Sequence, residues 1–319
     1  MRSLVTVLMI VLRVSSLAAQ QTTASADGTL IRYEVHGQGD PTFVLVHGFT
    51  NNRTWWEPHI QTLAGSHRVV TMDLAGFGES GRDRRYWTME AHGQDVAAVV
   101  RAVDASNAVL VGFSMGGAAV IEAAKLVRPR VRGVVLVDIF NDPDFVFTPE
   151  VIADIRRSIA RTWHNRDSLS TAFSPGAPDS LRQRYLDRTP PVWPDYWWTI
   201  LEDFWRWNNA SLVPSLKELG VPIEAINSQR QPTAVTTYRK YVPSFRVTTI
   251  SEVGHLGMVW EKTAEFDRIL NEIAARFRTP GDRTSANNAS PAFAAFAAPE
   301  TPARAADGVE KQAGRCEEM

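Results

Sequence analysis

The sequence has one cysteine, Cys316, in 319 residues. No intrachain disulfide can form, and there is no cysteine cluster to hold a metal. The chain also lacks an excess of either charge: 34 Lys and Arg face 35 Asp and Glu, for a net charge of −1. It has no long basic run, which disfavours nucleic acid as a partner, because such binding leaves a basic footprint. Long hydrophobic stretches are missing too. The apolar run Leu4 to Leu12 is nine residues long, whereas a bilayer span takes about 20, so no stable membrane span is expected. The remaining composition, 44% hydrophobic and 22% charged, is that of a globular protein. The length admits one large α/β domain with an insertion, or two small domains.

The two ends differ from the body. Met1-Arg2 supplies a short positive region, the apolar run follows, and Ser16-Leu17-Ala18-Ala19-Gln20 offers small residues for cleavage. Residues 1–20 therefore read as a signal peptide cut between Ala18 and Gln20, with a secreted or periplasmic product. Arg13 interrupts the pattern. Beyond Arg278 the composition turns to Ala, Pro, Ser, Thr and Asn without apolar periodicity, so 279–319 is expected to be a disordered tail.

The body carries a repeated pattern. Thr29 to His36 alternates as a half-exposed first strand should. Thr42–Val46, Arg68–Met72, Val109–Val111 and Gly133–Val137 are short apolar runs that read as buried strands. Helical stretches separate them: Thr54–Ala64 with Thr54 as a possible cap, Thr88–Asp104, and the run after Gly117. Such alternation implies a mostly parallel sheet covered by helices on both faces. Ligands in such sheets sit beyond the carboxyl ends of the strands, where His47, Asp73, Ser114 and Asp138 all fall. From 140 to 214 the alternation stops, and six of the ten tryptophans gather there: Trp163, Trp193, Trp197, Trp198, Trp205 and Trp207. This stretch is expected to be a helical cap whose rings either form its own core or line an apolar pocket. Strands at Gly220–Asn227 and Phe245–Ile250, a Gly254-His255 loop and a closing helix at Thr263–Arg278 complete the body, so 21–139 and 215–278 form the core.

Gly112-Phe113-Ser114-Met115-Gly116 is a G-x-S-x-G turn between a strand and a helix. That is the context of a nucleophile elbow, with glycines where a tight turn leaves no room for Cβ atoms. With His47-Gly48-Phe49, Asp73-Leu74-Ala75-Gly76-Phe77-Gly78-Glu79-Ser80 and Gly254-His255 in the same order, the chain resembles the α/β-hydrolase superfamily over roughly Gly28 to Arg278. The serine at the elbow points to its esterase and cofactor-free haloperoxidase-like branch. The resemblance implies an α/β-hydrolase fold with Ser114 as nucleophile, His255 as general base and the backbone amides of Phe49 and Met115 as the oxyanion hole. The other histidines, His36, His47, His59, His67, His92 and His164, read as structural or surface residues, with His47 shaping the oxyanion loop.

The acid departs from the family's usual pattern. Many members carry it just after the strand corresponding to Ile223–Ile226, where this chain has Asn227-Ser228-Gln229-Arg230. Asp138, at the end of the strand after the elbow helix, is the expected replacement, with Asp142 and Asp144 as fallbacks. The competing reading is a chain that has lost its acid. The implied activity is hydrolysis of a small apolar or aromatic ester through an acyl-enzyme, with no cofactor and no metal. Lactone opening, perhydrolysis, C–C hydrolysis and acyl transfer on the same triad are alternatives, as is a non-catalytic ligand-binding relative.

Overall fold

A computed structural model describes residues 20–163, 172–189, 192–230 and 232–277. The expected signal peptide and tail, as well as His164 and the Trp163 side chain, lie outside the described residues. Eight strands form one sheet: β1 (Gln20–Ala24), β2 (Leu30–His36), β3 (Thr42–Val46), β4 (Arg68–Met72), β5 (Ala108–Phe113), β6 (Val131–Val137), β7 (Ile223–Ser228) and β8 (Arg246–Ile250). Their order is β1-β2-β4-β3-β5-β6-β7-β8. The pairs β1–β2 and β2–β4 are antiparallel, and the rest of the sheet is parallel. The first strand is thus Gln20–Ala24 and not the stretch at Leu30. Its sequence, Gln-Gln-Thr-Thr-Ala, is largely exposed and has no apolar alternation to announce it. Pairing with β2, not burial, makes it a strand.

In the central strands every residue is buried, so side chains on both faces are apolar. The period of two then divides them between two cores. Val44, Val46, Leu110, Val134 and Leu136 face one core, while Phe43, Leu45, Val109, Val111, Val135 and Val137 face the other. Each such side chain contributes roughly 1.5–3 kcal/mol on full burial.

Helices α1 (Glu57–Ala64), α2 (Met89–Ala102) and α3 (Gly116–Leu126) connect the early strands. The stretch before α1 is a 3₁₀ turn at Arg53–Trp56, and its cap is Asn52, whose side chain accepts from the Thr54 amide. Thr54 was the expected cap; the extra 3₁₀ turn displaces the helix start. Thr88 caps α2 by accepting from Ala91 N.

Between β6 and β7 come α4 (Pro149–Trp163), α5 (Asp179–Arg188) and α6 (Asp195–Glu218). The α6 helix runs through Pro214 to Glu218, so the expected boundary at 214 falls inside a helix. Proline removes one intrahelical donor, but Leu212, Ser215 and Leu216 around it are buried, and that packing carries the helix onward. Side-chain ties fasten α6 to the body, three of which matter most here. Trp207 Nε1 donates to Glu122 Oε1 at 2.8 Å, Met89 N donates to Asp203 Oδ2 at 2.7 Å, and Trp197 Nε1 donates to the Gly76 carbonyl at 3.2 Å. The second also places a carboxylate at the N-terminus of α2, where the helix dipole favours it. The chain closes with α7 (Val235–Tyr241), α8 (Gly257–Trp260) and α9 (Thr263–Arg276). Among the described residues no helix is long and apolar enough to cross a membrane.

Candidate active site

The elbow is built by close approach. A Cβ on Gly112 would lie 2.4 Å from the Gly116 carbonyl oxygen, and one on Gly116 would lie 2.5 Å from that of His47. Only hydrogen fits at either place, which is why glycines flank the serine. Ser114 itself has φ +51°, a conformation unfavourable for a residue with a side chain. It is held by Ser114 N donating to Val137 O at 2.9 Å and Gly117 N donating to Ser114 O at 2.8 Å. The parallel register pairs Phe113 with Val137, so Ser114 and Asp138 leave neighbouring strand ends side by side.

His255 arrives from the loop after β8 and bridges them. Its Nε2 lies 3.1 Å from Ser114 Oγ and its Nδ1 lies 2.7 Å from Asp138 Oδ2. A carboxylate only accepts, so Nδ1 carries the proton and Nε2 is left to accept from the serine hydroxyl. The ring stacks on Phe113 with centroids 4.9 Å apart, and Phe113 stacks in turn on Trp55 at 5.1 Å. Asp138 is 8% exposed. Burial by itself would raise its carboxyl, but the hydrogen bonds from His255 and from Ser228 N (2.7 Å) outweigh it and hold the group below the usual carboxylate range. Asp138 is therefore an anion at neutral pH and orients the imidazole.

The loop bearing Phe49 lies against the elbow, since a Cβ on Gly48 would come within 3.0 Å of Ser114 Cβ. His47 holds this loop. Leu74 N donates to its Nε2 at 3.1 Å, so Nδ1 carries the proton and donates to Gly48 O at 2.8 Å. Full burial pushes His47 down to about 4, which keeps the ring neutral and this pairing intact. Among the described residues no backbone carbonyl accepts from the amides of Phe49 or Met115. Met115 is the N-cap of α3, where unpaired amides and the dipole favour negative charge.

His255 Nδ1 is bonded to Asp138 and not to either fallback acid, although Asp142 lines the same cavity. Asp142 Oδ1 accepts from Asp144 N, and Asp144 Oδ1 accepts from Tyr241. Arg230 lines a separate cavity of about 670 Å³ with Gln229, Glu252 and Lys262. Ser114, Asp138 and His255 share a cavity of about 560 Å³ whose apolar wall is Ile139, Phe140, Phe145, Phe147, Ile155 and Phe204. Its aromatic lining is phenylalanine, so of the two readings of the cap tryptophans, packing and not this cavity wall holds for Trp193, Trp197, Trp198 and Trp207. Trp193, Trp197 and Trp198 pack instead on one another and on Phe49 and Phe77, and Trp207 is fully buried. Composition placed the aromatic wealth; the helix faces decided which rings reach the cavity. Sequence reading also missed Ser228, whose contribution is a backbone amide and leaves no side-chain signal. Among the described residues no group of three or more His, Cys, Asp or Glu is disposed to hold a metal ion.

Comparison with known proteins agrees with this architecture. Residues 43–269 match the model of a family described as "Alpha/beta hydrolase family". The chain is 28% identical over 243 residues to a pimeloyl-[acyl-carrier protein] methyl ester esterase of Stenotrophomonas maltophilia, covering 70% of this chain and 88% of the relative. It is 35% identical over 115 residues to the dihydrolipoyllysine-residue acetyltransferase component of the acetoin cleaving system of Pseudomonas putida, covering 36% of this chain and 31% of the relative. Over several relatives with such local matches it spans 31–40% of their length. A solved esterase from Thermogutta terrifontis superimposes with a TM-score of 0.67 at 23% identity, over 82% of this chain and 100% of that one.

Proposed function

Because the chain belongs to the alpha/beta hydrolase family, we propose that it is a serine hydrolase that cleaves a carboxylic ester of an apolar or aromatic small molecule. The unbroken line of hydrogen bonds from Ser114 through His255 to Asp138 carries this reading. Ser114 Oγ attacks the ester carbonyl while its proton passes to His255 Nε2. The carbonyl electrons move onto oxygen, and that oxyanion is met by the amides of Met115 and Phe49. Collapse of the tetrahedral adduct breaks the bond to the leaving alkoxide, which takes the proton from His255. Water, giving its proton to the same nitrogen, then attacks the acyl-enzyme, releases the acid and returns Ser114. Asp138 stays ionised throughout and stabilises the imidazolium. The phenylalanine wall beside Ser114 supports an apolar acyl or aryl group, and the helices between β6 and β7 act as the cap that shields it.

The reading as a non-catalytic binding relative rested on the missing carboxylate at Arg230. The hydrogen bond of Asp138 to His255 offers a carboxylate in its place and supports the catalytic reading. A panel of p-nitrophenyl esters of graded acyl length, run on wild type and Ser114→Ala, tests the proposal together with fluorophosphonate labelling. Turnover is expected to fall by about 10⁶-fold in the variant, with labelling abolished. Hydrolysis or labelling that survives Ser114→Ala rejects it. Export is part of the same proposal, supported by the apolar run and the small residues before Gln20. Intact-mass analysis of natively produced protein is expected to give a mature N-terminus between Ala18 and Gln20. Met1 retained on cytoplasmic protein would contradict it.

A further inference from the structure

The turn that delivers the acid is strained. Asp138 has φ +50° and Phe140 has φ +53°, two side-chain-bearing residues in the left-handed region within three positions. Such a backbone persists only where its surroundings over-determine it. Here the determinants come from one neighbouring stretch, the end of β7 and the start of α7. Ser228 N donates to Asp138 Oδ1 at 2.7 Å. Ala234 N donates to the Asn141 carbonyl at 2.7 Å. Tyr238 Oη donates to the Phe140 carbonyl at 2.7 Å. The Tyr238 ring is fully buried and lies flat on Phe245, with centroids 3.9 Å apart and planes 6° from parallel. The hydroxyl therefore has one fixed direction, and it is spent on the residue two places beyond the acid.

We infer that Tyr238, assisted by the Ala234 amide, is a positioning residue that holds the Asp138–Phe140 turn so that the carboxylate stays on His255. The inference rests on the reading of Ser114 as nucleophile and His255 as base. Burial, and then the charge of Asp142, push the Tyr238 phenol up, so it remains a donor across the working range of pH. Asp138 and Asp142 are carboxylates that line the cavity together with His255. Asp138 is the one hydrogen-bonded to the ring, and its hold is what Tyr238 controls.

Tyr238→Phe removes the hydroxyl and keeps the stack on Phe245. It is expected to lower kcat by about three- to tenfold, the worth of one hydrogen bond, with KM unchanged. A loosened carboxylate stabilises the imidazolium less, so protonating the base requires more acid, and the acid limb of the kcat profile moves to lower pH. Partial unfolding would reduce the amplitude without moving that limb. Ala234→Pro deletes the second donor independently. Ala234 has φ −75°, which proline accepts, and a smaller shift in the same direction is expected. Should Tyr238→Phe fail to fold, Ala234→Pro carries the test by itself. Tyr241→Phe is the control: its hydroxyl ties the surface carboxylate of Asp144, and wild-type kinetics are expected. An unmoved acid limb in the folded variants, with kcat within twofold of wild type, overturns the inference. If Ser114→Ala instead keeps wild-type turnover, the reading of the site fails and this inference falls with it.

Discussion

His255 and His59 each face an aspartate at nearly equal distance. His255 Nδ1 lies 2.7 Å from Asp138, and His59 Nδ1 lies 2.6 Å from Asp267. They differ at the other ring nitrogen. His59 Nε2 meets the Val259 carbonyl at 2.7 Å, and the side chain is completely buried. Both of its nitrogens face partners inside the protein, so neither is turned toward a hydroxyl or a cavity; it pins α1 to α9 and to α8. His255 Nε2 meets a hydroxyl instead, and 42% of its side chain is exposed. A carboxylate beside a histidine therefore does not make a base. The partner of the second nitrogen, and access to it, decide.

The largest effect that separates the pairs is expected from removing each carboxylate's charge. Asp138→Asn should lower kcat for ester hydrolysis by about 10⁴-fold by leaving the imidazole in the wrong tautomer, with a melting temperature near that of wild type. Near wild-type turnover in that variant would remove Asp138 from the mechanism. Asp267→Asn should do the opposite. It breaks a buried pair and should cost about 3–5 kcal/mol of stability in urea unfolding, while the folded fraction keeps its turnover. A turnover defect at full folding would show that the two pairs are not separable in this way.

A buried imidazole without a carboxylate partner gives a smaller effect. His47 meets a backbone amide and a carbonyl, not a carboxylate, and burial holds it down to about 4. As pH falls, the unfolded chain takes up this proton near 6.5, before the folded chain does. Stability is thus full above about 6.5, declines between about 6.5 and about 4, and levels off below that, by about 3 kcal/mol for this group. His36 and His92, also held low by burial first, act in the same direction. Asp138 contributes in a separate window. Its folded value is depressed, so its stabilisation is present above the ordinary carboxyl range and is lost only as pH falls through the lower folded value. Urea midpoints at pH 7 and pH 4.5 check the sign, and His47→Asn should flatten the difference. A midpoint that does not fall over that interval would contradict a neutral buried His47.

Much of this was legible in the residues. Short, mostly apolar runs such as Thr42–Val46 and Gly133–Val137 read as strands buried on both faces, and alternating them with helices favours parallel pairing. The strand ends then gather Ser114 and Asp138 without reference to chemistry, and the structure brings His255 to both. Other features left no local trace. A polar edge strand such as Gln20–Ala24 forms because β2 offers unpaired backbone, which lies elsewhere in the chain. Phe204 faces the cavity while Trp205 and Trp207 next to it are buried, because one helix turn aims neighbouring side chains in different directions. Gly254 is a glycine because a Cβ there would lie 2.2 Å from the Ala172 carbonyl oxygen, a neighbour 82 positions away.

By itself, the order of apolar runs and turns determined the sheet, the helices on its faces and the strain at the elbow, because these follow from periodicity and from sterics between near neighbours. Only the tertiary structure decided which of two histidine–aspartate pairs meets a hydroxyl, which aromatic rings face the cavity, and what braces the acid turn. Those outcomes depend on register and on contacts between segments up to 208 positions apart, and chain order does not encode such distances locally.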